Sequence, residues 1–178
     1  VAGNAYKLEE YIESGFLLIQ GQNIFPNEII LNDEPKYIKI EEGNHTSIKK
    51  GDILLGLNRP ITNGKLKTCR FMLEDESVLY QRAGKLVFNT NVLDAEFLYQ
   101  YLSSSNFMKQ LNVELVGSEQ PYIKSDLFNV TKNIFPKIAE QKKVSSFLVT
   151  FDRKLQVLNS EIEKAKQWKK GLLQQMFV

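Results

Sequence analysis

The sequence contains one cysteine, one histidine and no long hydrophobic run. Because Cys69 is the single cysteine, the sequence cannot form an internal disulfide. One cysteine and one histidine are too few ligands for a conventional zinc site. The sequence contains no run of about 18 apolar residues, so we expect no membrane span. Residues 1–7 lack the apolar segment of a signal peptide, so we expect none there. A lone thiol fits a reducing compartment, so we expect a cytoplasmic protein with no membrane partner.

Catalytic signatures are also absent. The sequence has neither a G-x-G-x-x-G loop nor a P-loop, and it lacks the Pro-Pro dipeptide that the amino-methyltransferase motif requires. Residues 34–36 (Glu-Pro-Lys) show the E-x-K spacing of many nucleases, but no Pro-Asp precedes them and so short a match arises by chance. His45 has no Ser or Cys at an informative spacing, and Cys69 lies in an alternating segment typical of a strand. We therefore predict a non-catalytic protein that holds no metal and no cofactor of its own.

Charge is unevenly distributed along the chain, although the net charge is only +2. Residues 1–135 hold 14 basic and 17 acidic side chains, a net of −3. Residues 136–178 hold nine basic and four acidic side chains, a net of +5. If the first part binds a polyanion, it must do so through a local basic patch rather than through bulk charge.

The last quarter of the sequence has the most regular pattern. From Val144 onward, apolar residues recur at alternating steps of four and three, with one polar exception, Lys169, beside Trp168. A 3.5-residue period over more than four heptads predicts a coiled coil, and a helix over about residues 140–176 is roughly 55 Å long. Such a helix needs a partner helix in the same or another chain. We assign dimerisation to this apolar seam: Val144, Leu148, Phe151, Leu155, Leu158, Ile162, Ala165, Leu172 and Met176.

The pattern upstream predicts a mixed domain. Short apolar runs and alternating segments bounded by Gly, Pro or Asn are typical of strands, and other segments show helical spacing. We expect an α+β fold, with a globular sheet-and-helix domain over residues 1–135 and one long coiled-coil helix over residues 136–178. Residues 41–50 are polar and predict a loop. The predicted strands are residues 16–21, 28–31, 37–40, 53–56, 65–72, 77–80 and 85–88, and the predicted helices are residues 5–13, 94–102 and 105–113.

Two segments have the composition of a nucleic-acid contact. Residues 53–73 contain no acidic side chain, and their cations and amides suit phosphates and base edges. Residues 117–124 offer a hydroxyl, an amide, an aromatic ring and a cation. A purely structural interpretation stays open for each segment. Residues 53–73 could be a hairpin whose lysines protect its edge from pairing, and residues 117–124 could be a connecting loop whose Tyr122 packs on the core. The predicted DNA contacts are Lys49, Lys50, Asn58, Arg59, Thr62, Asn63, Lys65, Lys67, Arg70, Ser118, Gln120, Tyr122 and Lys124.

The junction before the long helix resembles a known family. Residues 136–141 (Pro-Lys-Ile-Ala-Glu-Gln) and the lysines that follow them resemble the junction motif of type I restriction–modification specificity subunits. Residues 169–177 are similar to the end of the family's spacer helices. Residues 51–54 and 117–127 resemble points that recur in its target recognition domains. The resemblance spans nearly the whole chain and is strongest over residues 117–178.

This resemblance implies a division of labour. The globular domain would read one half of a bipartite duplex DNA target. The helix would act as a spacer and as a docking site for methyltransferase subunits, which carry S-adenosylmethionine, and for a restriction or translocase subunit where one exists. The family's spacer helices run antiparallel, so two copies of this chain paired in that way would read an inverted repeat.

The chain departs from the family in length, because a full specificity subunit carries two recognition domains and two spacer helices. It is then either a half-size subunit that forms a homodimer or a piece of a longer one. Three alternatives stay open: the recognition module of a single-chain restriction–methylation enzyme, a coiled-coil adaptor that binds no nucleic acid, and a solitary specificity protein that inhibits or competes with a full-length one. Salt-sensitive DNA binding would exclude the adaptor.

Overall fold

The chain forms two compact units, which confirm the expected α+β fold. One unit, Val1–Asn89 with Tyr101–Ile134, carries the sheets and two of the short helices. The other, Thr90–Gln100 with Phe135–Val178, carries the long helix and most of the short helix Ala95–Leu102. Among the described helices, none is both long and apolar enough to cross a membrane. The structure is a computed structural model, described here over residues 1–40, 45–117, 119–124, 126–130 and 133–177.

The strands are short, and the helices differ widely in length. No strand in the described ranges exceeds four residues, whereas the last helix has 39. The strands are β1 (Tyr11–Ile12), β2 (Phe16–Ile19), β3 (Ile24–Phe25), β4 (Glu28–Ile29), β5 (Tyr37–Ile38), β6 (Ser47–Ile48), β7 (Ile53–Gly56), β8 (Ile61–Thr62), β9 (Lys65–Leu66), β10 (Thr68–Arg70), β11 (Ser77–Leu79) and β12 (Ala83–Lys85). The helices are α1 (Ala95–Leu102), α2 (Ser105–Glu114), α3 (Leu127–Val130) and α4 (Ile138–Met176).

The larger sheet has the strand order β1-β5-β2-β11-β6, and its β2–β11 pair is parallel. Successive side chains of a strand point to opposite faces, yet Leu17 and Leu18 of β2 are both buried. Leu17 belongs to one hydrophobic cluster, and Leu18 packs with Ile38 and Val78 in another. The sheet is therefore covered on both faces, which explains why β2 is a continuous apolar run rather than an alternating one.

A second sheet, β10-β7-β12, is antiparallel and shares the main core of the first. Its central strand β7 is buried at all four residues. Leu54 and Cys69 pack in the same cluster as Leu17 and Ile19. The buried hydroxyl of Thr68 donates to the Leu54 carbonyl oxygen at 2.9 Å, so the polar atom inside this strand pair has a partner.

Helices α1 and α2 confirm the two helices predicted there, and each begins at a side-chain cap. Asp94 Oδ1 accepts a hydrogen bond from the Phe97 backbone nitrogen at 2.9 Å, and Ser104 Oγ accepts one from the Phe107 nitrogen at 3.2 Å. Phe107 is buried, and its ring stacks on Phe128 with 6.0 Å between centroids. Helix α2 is therefore held by an aromatic contact as well as by its cap.

The second unit is organised around a buried polar residue of α4, Gln141, which is 1% exposed. Its Nε2 donates to the carbonyl oxygens of Val92 at 2.9 Å and Pro136 at 2.8 Å. Its Oε1 accepts from the Asp94 nitrogen at 2.8 Å. Ser145 Oγ, one turn further along α4, lies 3.1 Å from Asp94 Oδ1. This network fastens the segment before α1 to the first turns of α4.

Helix α4 confirms the long helix predicted from the periodicity, and at 39 residues it is about 58 Å long. The helix continues through Gly171, although glycine disfavours the interior of a helix. Gln141, Ser145 and Asp152 share one face, and Gln100 Nε2 donates to Asp152 Oδ2 at 2.7 Å. The apolar seam lies on a neighbouring face and is not used by these contacts.

Three local predictions are wrong. Residues 5–13 form a 3-10 turn at Leu8–Glu10 followed by β1, because the β1 backbone pairs with β5 instead of closing helical hydrogen bonds. Residues 41–50 contain β6, which pairs with β11; residues 41–44 lie outside the described chain. The strand expected at residues 85–88 lies earlier, as β12, where it pairs with β7. Non-local pairing overrode local composition in each case.

Candidate nucleic-acid interface

A groove lies where three strands end. Gln20 directly follows β2, Tyr80 directly follows β11, and Asn58 lies two residues after the end of β7. The carboxyl ends of the parallel β2–β11 pair necessarily meet at one edge of the sheet, where ligands commonly bind in open sheets. The groove has a volume of about 610 Å³. We call it the polar groove, and its lining residues are Gln20, Gly21, Gln22, Asn58, Arg59, Lys67, Tyr80, Gln81, Arg82 and Gln120.

Two of its turns touch at a glycine. The Gln20 nitrogen donates to Asn23 Oδ1 at 2.9 Å, which closes the first turn. Gly21 in this turn is buried, and a Cβ there would stand 2.4 Å from the Arg82 carbonyl oxygen of the second turn. The two turns approach this closely because Gly21 has no side chain.

The two sequence-predicted segments meet at the other wall. The Arg59 nitrogen donates to the Pro121 carbonyl oxygen at 2.7 Å, and the Ile123 nitrogen donates to the Leu57 carbonyl oxygen at 2.9 Å. These backbone bonds join the start of the basic hairpin to the loop that carries Gln120. Asn58, Arg59 and Gln120 therefore lie together in the polar groove.

The basic hairpin itself is the β8–β9 pair. Asn63 and Gly64 have φ angles of +51° and +73°, the positive pair that a type I′ hairpin turn requires. Thr62 pairs with Lys65, so the hairpin carries Thr62, Asn63 and Lys65 near its tip. The Lys67 nitrogen donates to the Pro60 carbonyl oxygen at 2.6 Å, which closes the hairpin base beside the groove.

The lining of the polar groove has cations and amides but no carboxylate. Its cations are Arg59, Lys67 and Arg82, and five further residues carry side-chain amides. Within the described part of the chain, none of the three cations forms an ion pair. They are therefore available to an anionic ligand, and the amides offer donors and acceptors beside them.

The opposite end of the strands carries charges of both signs. Glu74, Asp75 and Glu76 precede β11, and Lys50, just before β7, forms an ion pair with Glu74. Lys85 of β12 forms another ion pair with Asp52 at this end. The lining of the polar groove has cations without a carboxylate, so a phosphate backbone is attracted more strongly to the groove end.

Several predicted DNA contacts lie away from the groove. Arg70 pairs with Ile53, at the far end of β7, whereas the Gly56 nitrogen bonds the Lys67 carbonyl oxygen at the groove end. Three residues of strand separate these positions by about 10 Å. Lys49 and Lys50 precede the same far end. Two loop positions, Tyr122 and Lys124, are exposed just past Pro121, and Ser118 lies outside the described residues.

The structure also identifies groove residues that the sequence did not suggest, namely Gln20, Gln22, Gln81 and Arg82. They lie on short turns after apolar strands and belong to no motif. Gln22 Nε2 donates to Gln20 Oε1 at 2.9 Å, so two of the amides are already paired with each other. One sequence feature could have suggested part of this set: Gln20, Gly21 and Gln22 directly follow the apolar run of β2. Polar residues on a loop after a buried strand often take part in binding.

The apolar seam of α4 is exposed along its length. Relative exposures range from 37% at Leu148 to 72% at Met176; Ala165 is also exposed and Leu172 is half-buried. Such a stripe on a long helix is typical of an interface.

The described residues contain no group of three or more His, Cys, Asp or Glu placed to hold a metal ion. Burial raises the pKa of the Cys69 thiol to about 12, which keeps it protonated and unreactive at neutral pH.

Comparison with known proteins gives a consistent picture. A family model described as the type I restriction modification DNA specificity domain matches residues 2–167. The type I restriction enzyme MjaVIII specificity subunit of Methanocaldococcus jannaschii is 30% identical over 184 aligned residues, which cover 97% of this chain and 41% of that subunit. The chain therefore spans about two-fifths of the length of this curated relative.

Two solved structures share the fold. One, from work on complex assembly and conformational transition of the type I R-M system, has a TM-score of 0.68 at 16% identity and covers 97% of this chain and 40% of that one. The other, the HsdS subunit from Thermoanaerobacter tengcongensis, has a TM-score of 0.61 at 16% identity and covers 90% of this chain and 36% of that one. At this identity the likeness establishes the architecture of a sheet domain with a long helix.

Proposed function

The chain belongs to the family of type I restriction–modification DNA specificity domains, and we propose that it reads one half of a bipartite duplex target through the polar groove. The observation that carries this proposal is the groove lining: five amides and three cations that form no ion pair with the described residues, with no carboxylate among the lining residues. Cations neutralise phosphates, whereas amides form paired hydrogen bonds with base edges. The groove therefore offers both kinds of contact that a sequence-specific DNA reader needs.

In this proposal the hairpin beside the groove extends the contact. Thr62, Asn63 and Lys65 project from a rigid two-residue turn whose base is closed next to Lys67. A β-ribbon of this width fits the major groove of B-form DNA. Lys49, Lys50 and Arg70 lie at the opposite end of the strands, where carboxylates accompany them, and contribute less.

We further propose that α4 joins this chain to its partners. The exposed seam fits a second copy running antiparallel, which makes a homodimer whose two polar grooves read an inverted repeat. With the two-fold axis between Leu155 and Leu158, these residues face each other across the interface. Lys154 and Glu161 lie on the flanks of the seam. Lys154 of one copy could then form a salt bridge with Glu161 of the other.

The chain's own part is recognition and positioning rather than chemistry. Methyltransferase subunits would dock on the paired helices and supply S-adenosylmethionine and methyl transfer, and a restriction subunit would join where one exists. A protein that reads cellular DNA in a bacterium or archaeon works in the cytoplasm. The lining of the polar groove supports a role in recognition, because its cations and amides suit DNA binding and no reactive group is needed for that.

The test is DNA binding by the purified chain over a range of salt concentrations. Removing one phosphate-contacting cation lowers the slope of log affinity against log salt by about 0.9, equivalent to roughly eightfold weaker binding at about 0.1 M salt. We expect this for Lys67→Ala and for Arg82→Ala. Lys50→Ala is the matched control, because Lys50 is an exposed lysine paired with Glu74 at the opposite strand ends.

The control also defines the result that would defeat the proposal. We expect Lys50→Ala to change affinity by less than about twofold, the range of an exposed surface substitution. Salt-independent binding, absent binding, or an equal loss in Lys50→Ala and Lys67→Ala would show that the polar groove is not the interface.

A further inference from the structure

Arg59 has a backbone conformation that its side chain disfavours. Its φ angle is +45°, in the left-handed region where a Cβ crowds the following carbonyl oxygen. Asn27 and Asn63, the other non-glycine residues with positive φ among those that the structure describes, are of the type that tolerates this region. Arg59 is not, and the proline that follows it restricts its backbone further. A glycine would fit this position without strain.

The surrounding structure holds this conformation in place. The Arg59 nitrogen is bonded to the Pro121 carbonyl oxygen at 2.7 Å, and the Pro60 carbonyl oxygen accepts from the Lys67 nitrogen at 2.6 Å. Pro60 is buried, whereas the Arg59 side chain is exposed and lines the polar groove. Within the described residues, no hydrogen bond or ion pair uses its guanidinium. The backbone is therefore fixed while the charged group is left for a ligand.

We propose that Arg59 is a specificity-determining residue of the groove and reads one guanine of the half-site; this rests on the proposed function above. A guanidinium fits O6 and N7 of guanine with two parallel hydrogen bonds at the major-groove edge. Such a contact requires a side chain that starts from a fixed backbone position. Strain of this kind is characteristic of functional sites.

The other two cations have a different role. Lys67 is a point charge on a flexible chain, and Arg82 lies on a turn and has no positive φ angle. Phosphate contacts tolerate such freedom, because they carry no sequence information. Arg59 therefore selects the base at one position of the half-site, whereas Lys67 and Arg82 decide mainly how tightly any sequence is bound.

The experiment is selection from a duplex library with a randomised half-site, using the full chain as wild type, Arg59→Gly and Lys67→Ala. We expect the wild type to prefer guanine at one position by about 5- to 150-fold, the range for one bidentate contact. Arg59→Gly should lose the preference at that position and keep the others. Lys67→Ala should weaken binding to all sequences and leave the base preferences intact.

Folding is checked in the same samples. Because glycine relieves the strained φ, the urea midpoint of Arg59→Gly should equal or exceed that of the wild type, so lost readout cannot be attributed to unfolding. An unchanged guanine preference in Arg59→Gly, or a uniform loss over all sequences, would overturn the assignment while leaving the groove as the interface. Absence of DNA binding by the wild type would instead remove the proposed function, and this inference with it.

Discussion

Gln141 offers the sharpest test of how the second unit is assembled. Its side chain is 1% exposed and makes three hydrogen bonds, to the backbone atoms of Val92, Asp94 and Pro136. Gln141→Leu keeps the approximate volume but removes all three bonds. It leaves two carbonyl oxygens and one N–H group without their partner in a partly buried site.

The expected loss follows from that count. Each backbone group left unsatisfied in a partly buried site costs about 1 kcal/mol, at the low end of the range because water reaches part of the junction. Three such groups give about 3 kcal/mol, with an uncertainty of about 1 kcal/mol. Gln167→Leu is the matched control, because Gln167 is exposed on the same helix, and it should change stability by less than about 0.5 kcal/mol.

Urea unfolding followed by circular dichroism measures both variants. Gln141→Glu adds a second comparison, because its carboxylate would face the carbonyl oxygens of Val92 and Pro136, so the variant should gain stability as pH falls from about 7 to about 4. A loss below about 1 kcal/mol in Gln141→Leu, or equal losses in Gln141→Leu and Gln167→Leu, would refute the view that this network holds the junction.

Two further predictions concern the core and the seam. The folded pKa of the Cys69 thiol is raised from 9.0 to about 12 by burial, so the folded state retains a proton that the unfolded chain releases. This contribution is present below pH 9 and lost as pH rises, by about 0.8 kcal/mol between about pH 8 and pH 9.5, and urea unfolding of Cys69→Ala should lack that part of the pH slope. Leu155→Lys should convert the proposed dimer to monomers in analytical ultracentrifugation, whereas Val157→Lys, at an exposed apolar position outside the seam, should not. A wild-type monomer at every concentration would exclude the homodimer.

Part of the candidate site could be read from composition. Asn58, Arg59 and Lys67 were selected as cations and amides in a segment without acids, and Gln120 was selected as the amide of the loop over residues 117–124. The structure places all four in the polar groove. Composition could not separate these residues from Lys50, because an ion pair with Glu74 is invisible in sequence. The same limit applied to residues 5–13, where helical spacing was present but strand pairing with β5 prevailed.

The sequence by itself determined the long helix, the apolar strands and the family, because these depend on local periodicity and on contiguous motifs. Helix α4 follows from a 3.5-residue period that needs no other part of the chain to be recognised. Only the tertiary structure decided where the polar groove lies. Gln20, Asn58 and Tyr80 are far apart in sequence, and they meet because β2 and β11 pair in parallel and β7 ends beside them. That pairing is made by backbone hydrogen bonds and shared core burial, which leave no local signature in the residues that they bring together.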